Sequence, residues 1–341
     1  MPKPKILIFK LGLLGDVLMT TPFVRQLRRM YPEAEIQYWV GRSYGAALVG
    51  NPHLSSVVEF EEQIFFRRDV REIYRLWRKL RSERFTVAFF LGKHWIFNAL
   101  ARSLGIPRRI GFVREPISRL FLTEAVRYFD IRHESYYYLD LLTFCGMPEF
   151  SDTKMEVALS PETEQCVDRI LSERGLHEFV GVINSGGNNA GETQFARRLP
   201  DDFFEKLVNA LARHNSVLLI GNRADCAYYS RFTFPTNVQN LGGALSFHES
   251  LALMKRASRI FTTDCGGMHM AAVVNDRLTT FFGPQHPRRT APLLPNVEII
   301  WAHSDRYSPE YSLYNCRPDT GAFEKLKYTF AGGEIISGAA V

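Results

Sequence analysis

The sequence has no apolar run close to the ~20 residues that a membrane-spanning helix needs. Its opening leads straight into Ile6-Leu7-Ile8-Phe9, which is too short for the apolar core of a signal peptide. Cysteine is also scarce. The five cysteines, at 145, 166, 226, 265 and 316, form no CxxC pair, which argues against a disulfide framework and a zinc knuckle. We therefore expect a soluble, cytoplasmic protein.

Several catalytic motifs are missing as well. The chain contains no GxSxG nucleophile elbow, no GxxxxGK[ST] phosphate loop, no HExxH pair and no GxGxxG dinucleotide fingerprint. No spacing of Cys and His fits zinc, and no carboxylate-rich magnesium site is apparent. We therefore expect neither a metal nor another cofactor. Glycine and proline, at 24 and 17 residues, are ordinary, which excludes collagen-like and largely disordered chains.

Positive charge is concentrated in the first half of the chain. Residues 1–150 carry 23 Lys and Arg against 15 Asp and Glu, whereas residues 151–341 carry 19 against 21. Such an asymmetry is typical of a first half that meets an anionic partner, although a solvated basic surface would give the same counts.

Residues 67–81 form a basic stretch whose periodicity predicts an amphipathic helix. Its inward positions are Ile73, Leu76, Trp77 and Leu80. No nucleic-acid-binding motif accompanies the stretch, so we expect membrane headgroups or an anionic substrate as its partner, and no nucleic acid.

Strand-like apolar runs alternate with amphipathic stretches along the chain, which predicts parallel sheets covered by helices. Strands are predicted at 5–10, 35–41, 56–60, 86–92, 108–112, 179–185, 216–221, 259–263, 278–283 and 297–302. Helices are predicted at 17–30, 66–82, 94–104, 134–145, 161–174, 200–213, 246–257 and 267–274. The periodicity is lost near 148–160, so we expect domains at 1–155 and 156–325, followed by a C-terminal tail at 326–341 with the composition of a frayed end.

The predicted fold class is therefore α/β, with two doubly wound, Rossmann-like domains facing across a cleft. Ligands of such folds sit outside the carboxyl ends of the strands, where loops run into helix N-termini. The residues that follow strands are thus the candidates for a functional site.

The first strand ends in a loop that contains Gly12, Gly15 and Asp16. The two glycines let the backbone turn tightly and approach a ligand. Asp16 stands near the start of the next helix, where it could be an N-cap residue. Alternatively, its carboxylate could accept a proton from a ligand.

A second loop, Asp264-Cys265-Gly266-Gly267, joins a predicted strand to a short helix that contains His269. A helix N-terminus preceded by glycines offers N–H groups and a partial positive charge, which suit a phosphate. Asp264 would repel phosphate, so it is expected to bind a sugar hydroxyl or to order the loop. His269 could donate to a phosphate oxygen or be purely structural.

A third loop follows the strand at 179–185 and begins Ser185-Gly186-Gly187, with Arg197 and Arg198 opening the next helix. Ser and Gly supply backbone and side-chain donors, and paired arginines can grip a diphosphate bidentately. An Arg-Arg pair can equally be a solvated surface, but here it shares a strand-end rim with the Asp264 loop, which favours ligand binding.

The chain resembles glycosyltransferase family 9, which includes the ADP-heptose:lipopolysaccharide heptosyltransferases. Its N-terminal stretch, Lys5-Ile-Leu-Ile-Phe-Lys-Leu-Gly-Leu-Leu-Gly-Asp-Val-Leu-Met-Thr-Thr-Pro, looks like the opening of that family. Asp264-Cys-Gly-Gly-Met-His-Met-Ala-Ala, followed by Phe282-Gly-Pro-Gln-His-Pro, is similar to the family pattern D-S/T-G-P-x-H-x-A-A … F-G-P-T-x-P.

The resemblance implies a GT-B fold whose N-terminal domain binds the acceptor and whose C-terminal domain binds the nucleotide-sugar. It also implies inverting transfer without a metal. Asp16 matches the family's general base. On the acceptor side we expect contacts from Gly15, Arg114 and Arg119. The expected donor-binding residues are Ser185, Gly186, Arg197, Asp264, Cys265, Gly266, Gly267 and His269.

The chain departs from the family pattern on the donor side. Cys265 stands where Ser or Thr is usual, and Gly267 where Pro is usual. Arg197 replaces Lys, Leu199 replaces Trp, and the family's H-P-G-A loop becomes Asn184-Ser-Gly-Gly.

The expected activity is transfer of a heptose from an ADP-sugar to a hydroxyl of an anionic glycolipid, the lipopolysaccharide inner core. Peripheral contact with inner-membrane headgroups at the cytoplasmic face is expected with it. Two alternatives stay open: a family-9 transferase with another sugar or with a protein or small-molecule acceptor, and a nucleotide-sugar-binding module without catalysis.

Overall fold

The computed structural model describes residues 3–128, 132–146, 152–186, 197–283 and 285–301, together with the backbone of 328–331 and 334–337. The chain divides into two compact units, Met1–Ala158 and Leu159–Val341, compared with the expected boundary after residue 155. Each unit contains a six-stranded sheet whose strand pairs are all parallel among the described residues. The predicted α/β class, with two doubly wound domains, is confirmed.

The first unit has the strand order β3-β2-β1-β4-β5-β6. Its elements are β1 (Lys5–Lys10), α1 (Leu14–Leu18), α2 (Thr21–Met30), β2 (Glu35–Gly41), β3 (Ser56–Phe60), α3 (Gln63–Phe66), α4 (Val70–Ser82), β4 (Val87–Phe90), α5 (Trp95–Ser103), β5 (Arg108–Val113), β6 (Glu124–Arg127) and α6 (Glu134–Asp140), with 3₁₀ turns at Arg42–Leu48, Pro116–Leu120 and Thr143–Cys145.

The central strand β1 is buried along nearly its whole length, which explains its uninterrupted apolar run. One face of this sheet packs against α4 and α5, which contribute Leu76, Leu80 and Ala101 to the core. The inward face predicted for the basic helix is therefore confirmed, with Leu76 and Leu80 buried and Ile73 and Trp77 packed against them.

The second unit has the strand order β12-β11-β10-β7-β8-β9 and a separate two-stranded sheet. Its elements are α7 (Pro161–Glu173), β7 (Phe179–Ile183), α8 (Asp201–Ala212), β8 (Ser216–Leu219), α9 (Arg223–Tyr229), β9 (Val238–Asn240), α10 (Phe247–Arg256), β10 (Arg259–Thr263), α11 (Gly266–Val274), β11 (Leu278–Phe282), α12 (Pro287–Thr290), β12 (Val297–Trp301), β13 (Tyr328–Ala331) and β14 (Glu334–Ser337).

The structure corrects several predicted boundaries. The helix expected at 17–30 is two helices, and the one expected at 66–82 is interrupted before Asp69, whose side chain caps α4 by accepting from two backbone N–H groups. The edge strands β6 and β9 were not predicted. Where the composition indicates a frayed tail, β13 and β14 pair antiparallel.

The segment before Ala158 is fastened to α2 of the first unit. Arg25 is buried and donates to a carboxylate oxygen of Glu156 at 2.8 Å and to the carbonyl of Lys154 at 2.9 Å. The hydroxyl oxygen of Thr21 accepts from the backbone N–H of Glu156. These contacts keep the connecting segment with the first unit.

Across the part of the chain that the structure describes, none of the helices combines the length and apolar character needed to cross a membrane.

Candidate functional site

Both sheets have the strand order 3-2-1-4-5-6 when their strands are numbered within each unit. In this order the chain reverses direction of winding between the first and fourth strands, and ligands bind beside that switch point. The switch points lie between β1 and β4 in the first unit and between β7 and β10 in the second. The predicted loops with Asp16, Ser185 and Asp264 follow β1, β7 and β10, so all three lie at a switch point.

Asp16 lies in the first turn of α1, but it is not the N-cap residue. The N-cap is Leu13, which has no side-chain capping bond, so the N-cap interpretation is wrong. The Asp16 side chain is 30% exposed. A partly exposed carboxylate at a switch point is placed where a ligand hydroxyl could meet it.

Lys10, the last residue of β1, contacts the Asp16 carboxylate. Its ammonium donates to Asp16 Oδ2 at 3.0 Å and to the Tyr138 hydroxyl at 3.1 Å. The Lys10 side chain is only 5% exposed. Burial lowers the pKa of Lys10, and the charge of Lys93 lowers it further, while the charge of Asp16 opposes both.

A second buried lysine belongs to the same cluster. Lys93 follows β4 and pairs with the buried carboxylate of Glu134, which also accepts from the Tyr128 hydroxyl. The Lys93 ammonium lies 4.5 Å from the centre of the Tyr128 ring and 5.4 Å from that of Tyr138. Burial alone would lower the pKa of Lys93, but Glu134, the two tyrosines and Asp16 together outweigh it, and the pKa is raised well above the ordinary value.

Sequence reasoning missed these two lysines. The signal available was a lysine placed at the end of each of two apolar strands, after Ile-Leu-Ile-Phe and after Phe-Phe-Leu-Gly. Buried lysines in such positions need a paired carboxylate or a functional reason, because an unpaired buried charge is costly.

The residues expected to bind the acceptor lie in different surroundings. Gly15 is buried inside α1, where its carbonyl accepts from the backbone N–H of Met19. Arg114 is partly exposed and lies 3.8 Å from a Glu115 carboxylate oxygen. Arg119 is exposed on the 3₁₀ turn Pro116–Leu120. Arg114 and Arg119 both lie on the connection between β5 and β6, whereas Gly15 follows β1.

In the second unit, the loops after β7 and β10 are hydrogen-bonded to each other. The Thr263 hydroxyl accepts from the backbone N–H of Ser185 at 3.2 Å and donates to the Ser185 carbonyl at 2.7 Å. Gly186 is buried beside them. The next part of this loop, residues 187–196, lies outside the described residues.

Two predicted donor-site residues, Arg197 and Asp264, form an ion pair. The Arg197 guanidinium donates to Asp264 Oδ2 at 2.9 Å, and the Thr290 hydroxyl donates to Oδ1 at 3.4 Å. The Asp264 side chain is 5% exposed and that of Arg197 is 14% exposed. Of the two roles expected for Asp264, the structure shows the ordering of the loop, because its carboxylate connects β10 to the segment that precedes α8.

Cys265 is the N-cap residue of α11 and makes no side-chain capping bond. Its thiol is buried, and burial raises its pKa despite the nearby backbone N–H groups of Met268 and Gly267. The first N–H groups of a helix have no intrahelical acceptor, so the start of α11 at Gly266 is suited to an anion. His269 is buried four residues into α11.

The packing of Gly267 accounts for one departure from the family pattern. A Cβ at this position would lie 2.9 Å from Ile183 Cγ2, closer than side chains tolerate. Proline, the usual residue there, also carries a Cβ. With Ile183 at the end of β7, any larger residue at position 267 would therefore force one of the two segments to shift.

Asn184, the residue that sequence reasoning treated only as a departure, organises the loop. It is fully buried, its side-chain oxygen accepts from the backbone N–H of Leu199 at 2.8 Å, and its backbone N–H donates to the Tyr229 hydroxyl at 2.9 Å. Asn184 thus holds the Arg197–Leu199 segment against the end of β7.

Within the described ranges, no group of three His, Cys, Asp or Glu side chains is arranged to hold a metal ion.

Comparison with known proteins agrees with this architecture. The family model for glycosyltransferase family 9 (heptosyltransferase) matches residues 73–313, which is more than half of the chain. Lipopolysaccharide heptosyltransferase 2 of Escherichia coli (strain K12) is 25% identical over 320 residues, which cover 87% of this chain and 87% of that protein.

Two solved structures resemble the fold. The glycosyl transferase family 9 structure from Veillonella parvula DSM 2008 has a TM-score of 0.74 at 19% identity, covering 87% of this chain and 85% of that one. The structure of E. coli ADP-heptose lps heptosyltransferase II has a TM-score of 0.71 at 21% identity, covering 94% and 97%. This likeness assigns the GT-B fold to the chain. Together with the family match, it shows that the chain belongs to glycosyltransferase family 9, the heptosyltransferase family, and is a glycosyltransferase.

Proposed function

We propose that this glycosyltransferase transfers a heptose from ADP-heptose to a hydroxyl of the lipopolysaccharide inner core, with inversion and without a metal ion. The observation that carries the proposal is the strand-end position of the two kinds of chemical group that such a transfer needs. A partly exposed carboxylate follows β1, and a helix N-terminus with an arginine follows β10 and β7. The relatives that this chain resembles are named as lipopolysaccharide heptosyltransferases, which supports the choice of donor and acceptor.

In this proposal Asp16 is the general base. Its carboxylate takes the proton of the acceptor hydroxyl while that oxygen attacks C1 of the sugar. The bond between C1 and the diphosphate oxygen breaks on the opposite side, and ADP leaves with the electron pair, so the configuration at C1 inverts. Lys10 holds Asp16 Oδ2 at 3.0 Å, which orients the carboxylate and favours its ionised form.

The departing diphosphate gains negative charge as the bond to C1 breaks. The N–H groups at the start of α11 and the Arg197 guanidinium are the groups that would stabilise it. The donor-binding roles of Ser185, Gly186, Asp264, Cys265, Gly266, Gly267 and His269 belong to the same proposal. Arg114 and Arg119 would attract the anionic groups of the acceptor, and Gly15 would lie beside its reacting hydroxyl.

A glycolipid acceptor is held in a bilayer, so the proposed place of action is the cytoplasmic face of the inner membrane, in peripheral contact with lipid headgroups. A second candidate function is nucleotide-sugar binding without transfer. It is favoured by Cys265, whose buried thiol stands where the family has a hydroxyl that can bond phosphate.

Release of ADP tests the proposal and separates the two candidates. The protein is incubated with ADP-heptose and with other nucleotide-sugars, each with and without inner-core acceptor, in buffer containing EDTA. The proposal predicts acceptor-dependent ADP release from ADP-heptose that survives EDTA. Activity lost in EDTA and restored by magnesium or manganese would refute metal independence, and binding of ADP-heptose without turnover would establish the binding module.

A further inference from the structure

The corner between α3 and α4 exposes an unusual set of apolar side chains. Phe66, Val70 and Tyr74 follow one another at intervals of four residues and are 55%, 75% and 56% exposed. Phe66 ends α3 and Val70 begins α4, so the three side chains continue across the corner. We call these residues, with the arginines described next, the basic ridge.

Four arginines flank this apolar row and have exposed side chains: Arg67, Arg68, Arg71 and Arg78. Their guanidinium groups make no hydrogen bond or ion pair with any residue that the structure describes. Neighbouring cations are engaged, since Lys79 lies over the Trp39 ring at 5.1 Å and Arg81 donates to the Ser103 carbonyl at 3.2 Å. The ridge thus brings four unpaired arginines together within residues 67–78.

On the outer face of α4, Tyr74 stacks on Trp77 at 5.7 Å between ring centres, whereas Val70 belongs to no core cluster among the described residues. Leu76 and Leu80 bury the opposite face against the sheet, and Asp69 caps the helix. Phe66, Val70 and the four arginines are thus not explained by packing within the described residues. An exposed apolar row beside unpaired arginines is the arrangement of helices that lie in the interface of an anionic bilayer.

We propose that the basic ridge binds the surface of an anionic lipid bilayer, with Phe66 and Val70 entering the headgroup region and the arginines contacting lipid phosphates. The proposal assigns the membrane contact to the basic ridge. It rests on the proposed function only in taking a membrane as the partner. Charge complementarity favours this occupant. A second copy of the chain, docked by a twofold axis, would bring the same unpaired arginines against each other, where their like charges repel.

Co-sedimentation with vesicles tests the proposal without donor or acceptor, so its outcome is independent of the sugar-transfer reaction. The full chain is mixed with vesicles of phosphatidylcholine alone or with 30% phosphatidylglycerol, at about physiological ionic strength. We expect binding to the anionic vesicles and little to the neutral ones. The charge variant Arg71→Gln/Arg78→Gln should bind the anionic vesicles about 30-fold less tightly, because each arginine near an anionic surface strengthens binding about fivefold.

A matched control separates the ridge from net charge. Arg169 and Arg213 are exposed on the second unit without side-chain partners among the described residues. The double change Arg169→Gln/Arg213→Gln therefore alters the total charge equally and should leave vesicle binding unchanged.

The apolar row is tested at constant charge. Phe66→Ser/Val70→Ser should weaken partitioning by about 10-fold, whereas Val49→Ser/Leu293→Ser, which removes exposed apolar side chains elsewhere, should not. All variants change exposed residues, and thermal melting checks that each is folded.

Three results would overturn the proposal. The first is an absence of binding to anionic vesicles, and the second is an equal loss in the ridge and control variants. The third is concentration-dependent dimerisation in sedimentation velocity that Phe66→Ser/Val70→Ser abolishes, which would identify a second copy of the chain as the occupant.

Discussion

At the scale of single residues, Lys10 places a charged ammonium group in the interior of the first unit. It is buried, it lies 3.0 Å from the Asp16 carboxylate, and Lys93 is a like charge in the same cluster. Burial and Lys93 disfavour the charged form of Lys10, while Asp16 favours it. The protonation of Lys10 is thus coupled to the group proposed as general base.

This coupling has a consequence for stability. Because the pKa of Lys10 is lower in the folded protein than its ordinary value of 10.5, the unfolded chain binds more protons at alkaline pH. The contribution of Lys10 to the free energy of unfolding therefore rises as pH increases toward 10.5, by at most about 1.4 kcal/mol per pH unit. Lys93, whose pKa is raised, does not make the free energy of unfolding depend on pH below 10.5.

Urea unfolding between pH 7 and 9.5 measures the effect. The free energy of unfolding of the native chain, minus that of Lys10→Met, should increase with pH. Lys206→Met, which changes an exposed lysine, is the matched control. A flat or falling difference for Lys10→Met would show that Lys10 keeps an ordinary or raised pKa in the folded chain.

At the scale of elements, the ion pair between Arg197 and Asp264 connects the loop before α8 to the loop after β10. The pair is largely buried, and breaking a buried pair leaves an uncompensated charge. A donor-site arginine that also orders the neighbouring loop would affect both nucleotide affinity and folding.

The variant Arg197→Ala should weaken ADP binding by about 1.5–3 kcal/mol, the range for hydrogen bonds to charged groups. It should also lower the melting temperature, because the Asp264 carboxylate loses its cation. Calorimetric titration with ADP and thermal melting of Arg197→Ala, Asp264→Asn and the double variant provide the measurement.

The double variant separates the two effects. Asp264→Asn in the Arg197→Ala background should recover melting temperature but not ADP affinity. If the double variant recovers ADP affinity as well, Arg197 acts by neutralising the Asp264 carboxylate, and its proposed contact with diphosphate is wrong.

The elements that sequence patterns could predict were those with strong apolar runs. The buried strands β1, β2 and β10 have the predicted bounds, since buried parallel strands are continuous apolar runs. The edge strand β3, of which only Phe60 is buried, also has the predicted bounds. The edge strands β6 and β9, Glu-Ala-Val-Arg and Val-Gln-Asn, are short and polar, and only pairing with a neighbour defines them.

The candidate site was predictable in part for the same kind of reason. Loops after strands and glycines next to helices are local signals, and they led to Asp16, Ser185 and Asp264. The contact of Lys10 with Tyr138 and that of Arg197 with Asp264 join residues 128 and 67 positions apart, so no local pattern carries them. The role of Asn184 likewise depends on Tyr229 and Leu199, which only folding brings near.

At the scale of the whole molecule, the excess of positive charge lies in residues 1–150, with 23 Lys and Arg against 15 Asp and Glu. Such a field attracts an anionic acceptor, but at physiological ionic strength it reaches only about 8 Å. The KM for a water-soluble, deacylated inner-core acceptor should therefore rise steeply from low to moderate salt, and the KM for the donor should change less.

Charge reversal locates the effect. Arg114→Glu/Arg119→Glu should raise the acceptor KM and leave the donor KM unchanged, whereas Arg169→Glu/Arg213→Glu, on the second unit, should leave both nearly unchanged. An acceptor KM that does not vary with salt, or equal use of a neutral glycan, would mean that the acceptor is not the anionic core.

The central claim is that this chain moves a heptose onto the lipopolysaccharide inner core with Asp16 as the base. The most direct measurement is mass spectrometry of the acceptor after incubation with ADP-heptose and either the native chain or Asp16→Asn. Asparagine keeps the size of the side chain but accepts no proton. It also removes the carboxylate that pairs with the buried Lys10, so thermal melting first checks that the variant is folded. We predict an acceptor heavier by one heptose, formed with a kcat about 10²–10⁴-fold lower in Asp16→Asn and with donor affinity nearly unchanged. An acceptor of unchanged mass with the native chain, or an equal kcat for Asp16→Asn, would contradict the account.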